Sequence, residues 1–190
     1  ASLALYGIAR RTLGLPRIGE QYRSAAVPLA LAVACLWGVH PLQTASVSYT
    51  AQRYEAMMGL FMFTSLYCFI RAAGDRSGTW WYSLSLLAAV VGTATKEIII
   101  VLPVVLILYD YIFISNSWRQ VFRARWAFYL GLCATWVFLL VLIQLQTVGK
   151  PAEFYTWQGV STFRYLVTEF GVICHYLRLA FWPTGLCLDY

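Results

Sequence analysis

The chain has 190 residues, 61% hydrophobic and 12% charged, with a mean hydropathy of +0.66. Soluble domains average about 45–50% apolar and 25% charged, so this composition excludes an ordinary water-solvated fold and indicates a membrane protein. The net charge of +6 does not point to nucleic acid, because the basic residues are scattered between apolar runs and not clustered on one patch.

The first ten residues, ASLALYGIAR, hold an apolar run far below the ~20 residues that span a bilayer. They read as the end of a helix whose beginning is missing. Residues 1–190 are accordingly expected to be part of one transmembrane domain of a longer polytopic protein. Arg10, Arg11, Arg17 and Arg23 follow, against Glu20. Long apolar runs then occupy 25–39, 56–70, 80–93, 98–114 and 126–145. The last segment, 163–182, is apolar but broken by charge. The pattern predicts an all-α, polytopic transmembrane helix bundle. It has about five spanning helices, a partial N-terminal helix and an amphipathic C-terminal helix.

The connectors divide by charge. Alternate ones hold nine arginines: Arg10, Arg11, Arg17, Arg23, Arg71, Arg76, Arg119, Arg123 and Arg125. The others hold Arg53, Lys96, Lys150 and Arg164. The nine-residue side is expected to be cytoplasmic, and as topology signals these nine need no further role. His40, Gln43, Arg53, Glu55, Lys96, Glu97, Lys150 and Glu153 then share the outer face. Trp80, Trp81, Tyr82, Trp118, Trp126, Trp157 and Trp182 suit interfacial anchoring, with sugar stacking as an alternative use.

Three stretches of that outer face carry candidate chemistry. The first is 40–55, HPLQTASVSYTAQRYE. Pro41 suits a first helical turn, and a helix from there places Gln43, Ser46, Thr50 and Arg53 within roughly 80° of one face. That stripe is either a solvated turn or part of a binding site. The second is Lys96-Glu97, adjacent charges between two apolar runs. Ionisable groups at membrane depth face a cavity or a partner. An ammonium there fits a lipid-borne phosphate, while a tight turn with a snorkelling, self-compensated lysine explains the pair equally well. The third is the stripe Arg164, Thr168, His175 and Arg178 on the last helix, within roughly 80° of one another. An Arg-His-Arg stripe suits an anion, on a helix that either lies on the outer surface or spans with its charges inward. Cys35, Cys68, Cys133, Cys174 and Cys187 form no CxxC and are odd in number. They predict neither a disulfide framework nor a zinc site, and read as small buried hydrophobes.

Three segments together resemble one family. They are HPLQTASVSYTAQRYEAMMGLFMFTSLYCFIR, TKEIIIVLPVVLILYD and YLVTEFGVICHYLRLAFWPTGLCLDY. Their order and spacing are similar to the transmembrane and tetratricopeptide-repeat O-mannosyltransferases and their bacterial relatives, over most of 28–190. The resemblance implies a GT-C-like membrane region that moves a sugar from a polyprenyl-phosphate donor to protein Ser or Thr at the outer or lumenal face. It implies a bacterial inner membrane, or the ER membrane if the source is eukaryotic. The partners it implies are the lipid bilayer, the lipid-linked sugar and an acceptor protein or other membrane subunits, with no nucleic acid. No cofactor is implied beyond the donor substrate, and no metal ligands are assigned. The family's catalytic acid belongs to a first external loop, which would lie before Ala1, and its helical repeats would follow Tyr190. Two positions depart from the pattern: Ala45, where members often carry an acid, and Thr95, where they carry Ser. The residues carried over are His40, Gln43, Arg53, Lys96 and Glu97. Arg164, His175 and Arg178 are added from the stripe, all for binding lipid phosphate and sugar. A non-catalytic subunit with a structural or assembly role in a membrane complex is the alternative. A transporter fits less well, because no half-chain repeat is visible.

Overall fold

The computed structural model describes residues 1–44, 52–74, 78–147 and 162–185. It is helical, with no strand among the described residues. The helices are α1 (Ser2–Leu13), α2 (Glu20–Val39), α3 (Arg53–Gly74) and α4 (Thr79–Thr93). A 3₁₀ turn, Glu97–Val101, leads into α5 (Leu102–Tyr109), which ends in a π-helical turn, Asp110–Ile114. Then come α6 (Trp118–Thr147) and α7 (Thr162–Phe181).

Among the described residues, four segments are long and apolar enough to cross a membrane: Glu20–Val39, Arg53–Gly74, Glu97–Ile114 and Trp118–Leu145. Only 17% of the α2 window is buried within the protein. Val27, Leu29, Leu31, Val33 and Leu36 all face outward, a surface stable only against hydrocarbon. The fifth expected span, α4, has 15 residues and a rise of about 22 Å. It nonetheless returns the whole length of α3, because Lys96, just past its end, meets Glu55 in the first turn of α3.

Small residues set the helix contacts. Ala26, Ala30 and Ala34 form the buried stripe of α2, four residues apart, and let α1 approach closely. A Cβ at Gly38 would lie 3.2 Å from Ser2 Oγ, so the start of α1 adjoins the end of α2. Between α3 and α4, Ser65 and Ser85 each donate to the other's backbone carbonyl, at 2.9 and 2.8 Å. Higher in the same hairpin, a Cβ at Gly92 would come within 2.2 Å of Ile99 Cδ1 and 3.1 Å of Phe61 Cβ. Gly92→Leu should therefore force α3 and α4 apart and cost about 2–3 kcal/mol, read as a lowered apparent Tm of the detergent-solubilised protein. An unchanged Tm would mean the hairpin is looser than this packing.

The core runs through the middle of the bundle, where Phe69, Ala89, Leu102, Leu106, Phe128, Tyr129 and Leu132 pack together. The Phe69 and Phe128 rings stack at 5.2 Å. Among the described cysteines, Cys68 alone behaves as expected, and Cys187 lies outside the described residues. Cys35, Cys133 and Cys174 are exposed from the protein, because their helix faces turn outward to the lipid side and not to the core.

One end of the bundle gathers a buried polar knot. Asp110 is fully buried. It accepts from Arg125 Nη1 (2.9 Å to each oxygen), from the Tyr129 hydroxyl (2.6 Å) and from the Ser115 hydroxyl (2.8 Å). Arg125 Nε donates to Tyr82 Oη at 3.0 Å. Arg17 donates to the Ser115 carbonyl at 2.8 Å, and Thr12 Oγ1 lies 2.6 Å from Tyr109 Oη. The helix dihedrals break at Arg125 (φ −134°, ψ 26°), so the Trp118–Ala124 part turns away while Arg125 points inward. This corrects one sequence expectation. Arg125 is not merely a topology signal, because it is consumed in a buried ion pair that ties α6 to the end of α5.

Candidate functional site

The opposite end of the bundle carries the residues that the sequence singled out. Lys96 follows α4 with extended backbone (φ −158°, ψ 143°) and precedes the 3₁₀ turn. That break has a local cause. The amide N–H groups of Thr95 and Lys96 both turn back onto the Gly92 carbonyl, and the Thr95 hydroxyl adds a third contact at 2.6 Å. A carbonyl drawing three donors terminates the helix, and the next side chain projects from its end.

The Lys96 ammonium forms a close ion pair with Glu55. Glu97 is exposed beside it. The expectation of a self-compensating Lys96-Glu97 pair is corrected here: the lysine's partner lies across the hairpin, because neighbouring side chains at a helix end diverge while the α3 first turn sits alongside. Glu55 is the residue that sequence reasoning left out of the site. Its signal was present, since it lies two residues beyond Arg53 at the start of the same apolar run. The Lys96 and Glu55 side chains are 30% and 47% exposed. The pair is accessible, and the ammonium is oriented without being sealed in.

A recess of about 50 Å³ adjoins the pair, lined by Thr93, Ala94, Thr95, Lys96, Glu97, Leu139, Leu142 and Ile143. It has room for a water or so and not for a hexose. A sugar bound here would lie on the open side, over Lys96 and Glu97. Trp136 braces the wall by donating from Nε1 to the Ile100 carbonyl at 3.1 Å.

His40 ends α2. Its Nδ1 accepts the Leu42 N–H at 3.3 Å, and its Nε2 lies 3.1 Å from the Ala180 carbonyl. These contacts define the neutral Nε2–H tautomer, with both ring nitrogens engaged within the protein. His40 thus ties the C-terminal end of α7 to this end of the bundle, and Leu179 beside it is buried. Pro41 opens a turn, with Gln43 N–H on the His40 carbonyl at 2.9 Å and Thr44 N–H on the Pro41 carbonyl at 3.1 Å. Gln43 is half-buried and Arg53 exposed. Ser46 and Thr50 of the expected stripe, with Ala45, lie outside the described residues, as do Lys150 and Glu153.

On α7, Arg164 and Arg178 are exposed and His175 is half-buried. Arg178 stands two residues before the His40 contact at Ala180. Arg164 is 14 residues from Arg178, about 21 Å farther along the axis. The helix is not among the four apolar spans. The Tyr165 phenol is pushed above its ordinary range, first by its hydrogen bond with Glu169 and then by that carboxylate's charge. Among the described residues no group of His, Cys, Asp and Glu is placed to hold a metal ion.

The arrangement is an oriented cation at a membrane boundary, paired with Glu55 and next to Glu97. The family model for dolichyl-phosphate-mannose-protein mannosyltransferases matches residues 1–143. The chain belongs to that family. No curated protein and no solved structure matches it. The matched region holds α1 to α5, most of α6, and all of His40, Gln43, Arg53, Glu55, Lys96 and Glu97. It ends before Arg164, His175 and Arg178. The chain is a multi-pass, all-α membrane module of a mannosyltransferase-type glycosyltransferase, and family membership brings with it a membrane environment and a lipid-linked sugar.

Proposed function

We propose that this module serves transfer of mannose from a polyprenyl-phosphate donor to a protein Ser or Thr hydroxyl, at the external or lumenal face. The observation that carries the reading is the Lys96–Glu55 ion pair at the end of the α3–α4 hairpin, inside the family-matched region. The greater number of basic residues at the opposite end supports reading the Lys96 end as the external one.

In this reaction the acceptor oxygen attacks the anomeric carbon. The bond from that carbon to the phosphate oxygen breaks, and the lipid phosphate leaves with the electron pair. The proton of the acceptor hydroxyl passes to a carboxylate base, which the family resemblance assigns to an external loop preceding this chain. Lys96 meets the charge that builds on the departing phosphate. Glu55 holds the ammonium at the end of α4, so it does not have to be ordered as the donor arrives. Glu97 and Gln43 supply contacts to sugar hydroxyls, and Arg53 is a second cation at the same boundary. His40 keeps α7, and with it Arg178, against this end. Arg164 and His175 act farther out along α7, toward lipid or acceptor.

The test is saturable binding of labelled polyprenyl-phosphate mannose to the purified protein, with polyprenyl-phosphate glucose and polyprenyl phosphate as comparisons. The mannosyl donor is expected to bind most tightly. A well-folded protein that binds none of the three would remove the transferase reading and leave a structural subunit built on this scaffold.

A further inference from the structure

A second hollow lies between α1 and α3, away from Lys96. It has a volume of about 410 Å³ and is lined by Leu3, Tyr6, Gly7, Arg10 and Arg11 of α1 and Tyr67 of α3. Gly7 lets the Tyr67 ring pack directly on α1 as one wall: a Cβ there would lie 2.5 Å from the ring. The hollow is polarised along the helix. Arg10 and Arg11 close one end, and Leu3, 88% exposed, stands two turns away at the other, about 10 Å along the axis.

The charged end sits at the level of the polar knot. Thr12, next after Arg11, contacts Tyr109, and Arg17 reaches the Ser115 carbonyl. The guanidiniums are therefore at the membrane boundary, and the apolar end points toward the bilayer interior. The Arg11 guanidinium rests 5.8 Å over the Tyr67 ring, which fixes its direction. No acidic residue lines the hollow, and among the described residues neither Arg10 nor Arg11 is in an ion pair. Part of this charge suits the C-terminal turn of α1 through the helix dipole. The dipole does not account for a phenol-walled hollow between two helices.

We propose that this hollow binds the phosphate of a negatively charged headgroup. Arg10 and Arg11 donate to the phosphate oxygens, Tyr6 and Tyr67 form the walls, and an attached apolar chain leaves past Leu3 between α1 and α3. The volume takes a headgroup and not a whole lipid. The ligand chemistry is an organic phosphate of net negative charge, and the Leu3 end favours one carried on a lipid over a free anion.

The test titrates the detergent-solubilised protein with dioctanoyl phosphatidylglycerol, dioctanoyl phosphatidylcholine and inorganic phosphate, with bound ligand counted by native mass spectrometry. Phosphatidylglycerol should bind at one site, about tenfold more tightly than the zwitterionic lipid. Arg10→Gln with Arg11→Gln should weaken it by at least about tenfold. Gly7→Ala keeps every charge but drives the Tyr67 ring from its place, and should weaken it too. The circular dichroism of both variants serves as the folding control, and Gly7→Ala decides alone if the double variant fails to fold. Inorganic phosphate that binds as tightly, with the same sensitivity to the variants, would keep the anion site and assign it to a soluble ligand. The proposal fails if the wild type binds no phosphatidylglycerol, if phosphatidylcholine binds equally well, or if a folded Gly7→Ala variant and a folded arginine variant both bind as the wild type does.

Discussion

Asp110→Asn should lower the stability of the bundle by about 3 kcal/mol, seen as a large drop in apparent Tm on thermal unfolding in detergent. The substitution is nearly isosteric and leaves Ser115 and Tyr129 a partner. It removes the only charge facing Arg125 among the described ion pairs. A buried guanidinium without its counter-ion is the costly product, not the lost hydrogen bond itself. The figure sits at the lower end for such pairs because the Arg125 side chain is 13% exposed and can swing toward the headgroups. The complementary experiment removes both charges. Asp110→Leu with Arg125→Met should cost much less than Asp110→Asn alone, since a well-packed apolar pair replaces an ion pair at little net expense. If the double variant is the less stable of the two, the knot stabilises through its whole hydrogen-bond network, and charge compensation is the wrong account.

Lys96→Ala should weaken binding of the polyprenyl-phosphate donor by about 10- to 100-fold. This is what one charge-assisted contact of about 1.5–3 kcal/mol supplies. The effect has two parts: loss of the ammonium, and exposure of Glu55 as an unopposed carboxylate beside the incoming phosphate. Glu55→Gln on the Lys96→Ala background should therefore recover part of the loss. Glu55→Gln alone should weaken binding modestly, because the charge stays while its orientation is released. Binding by a folded Lys96→Ala variant that equals wild type would place the phosphate elsewhere. Recovery absent in the double variant would mean Glu55 acts only in packing.

The two ends of the bundle were not equally legible. The site at Lys96 was visible in part because Lys96 and Arg53 interrupt apolar runs, and an interruption is a local feature. Glu55 was legible as an outer-face residue and not as the lysine's partner, since the two are 41 residues apart in the chain. The knot around Asp110 was not legible at all. Ser115 and Arg125 fall in a stretch that reads as an ordinary connector, while Asp110 and Tyr129 lie inside the apolar runs on either side of it. Only the π-helical turn at Asp110–Ile114 and the break at Arg125 aim them at one point.

Hydropathy, length and charge by themselves determined that this is a multi-pass helical membrane protein, where most of its spans lie, and which connectors share a side. These are properties of single segments in contact with lipid or water, and each segment carries its own transfer free energy. The tertiary structure decided what each charge faces. It gave Lys96 to Glu55 and not to Glu97, put Arg125 into the interior, and set His40 between the Leu42 amide and the Ala180 carbonyl of α7. Those outcomes depend on how close helices approach, which glycines and alanines permit, and on the turn by which each helix ends. A pairing across a hairpin has no period along the chain to reveal it.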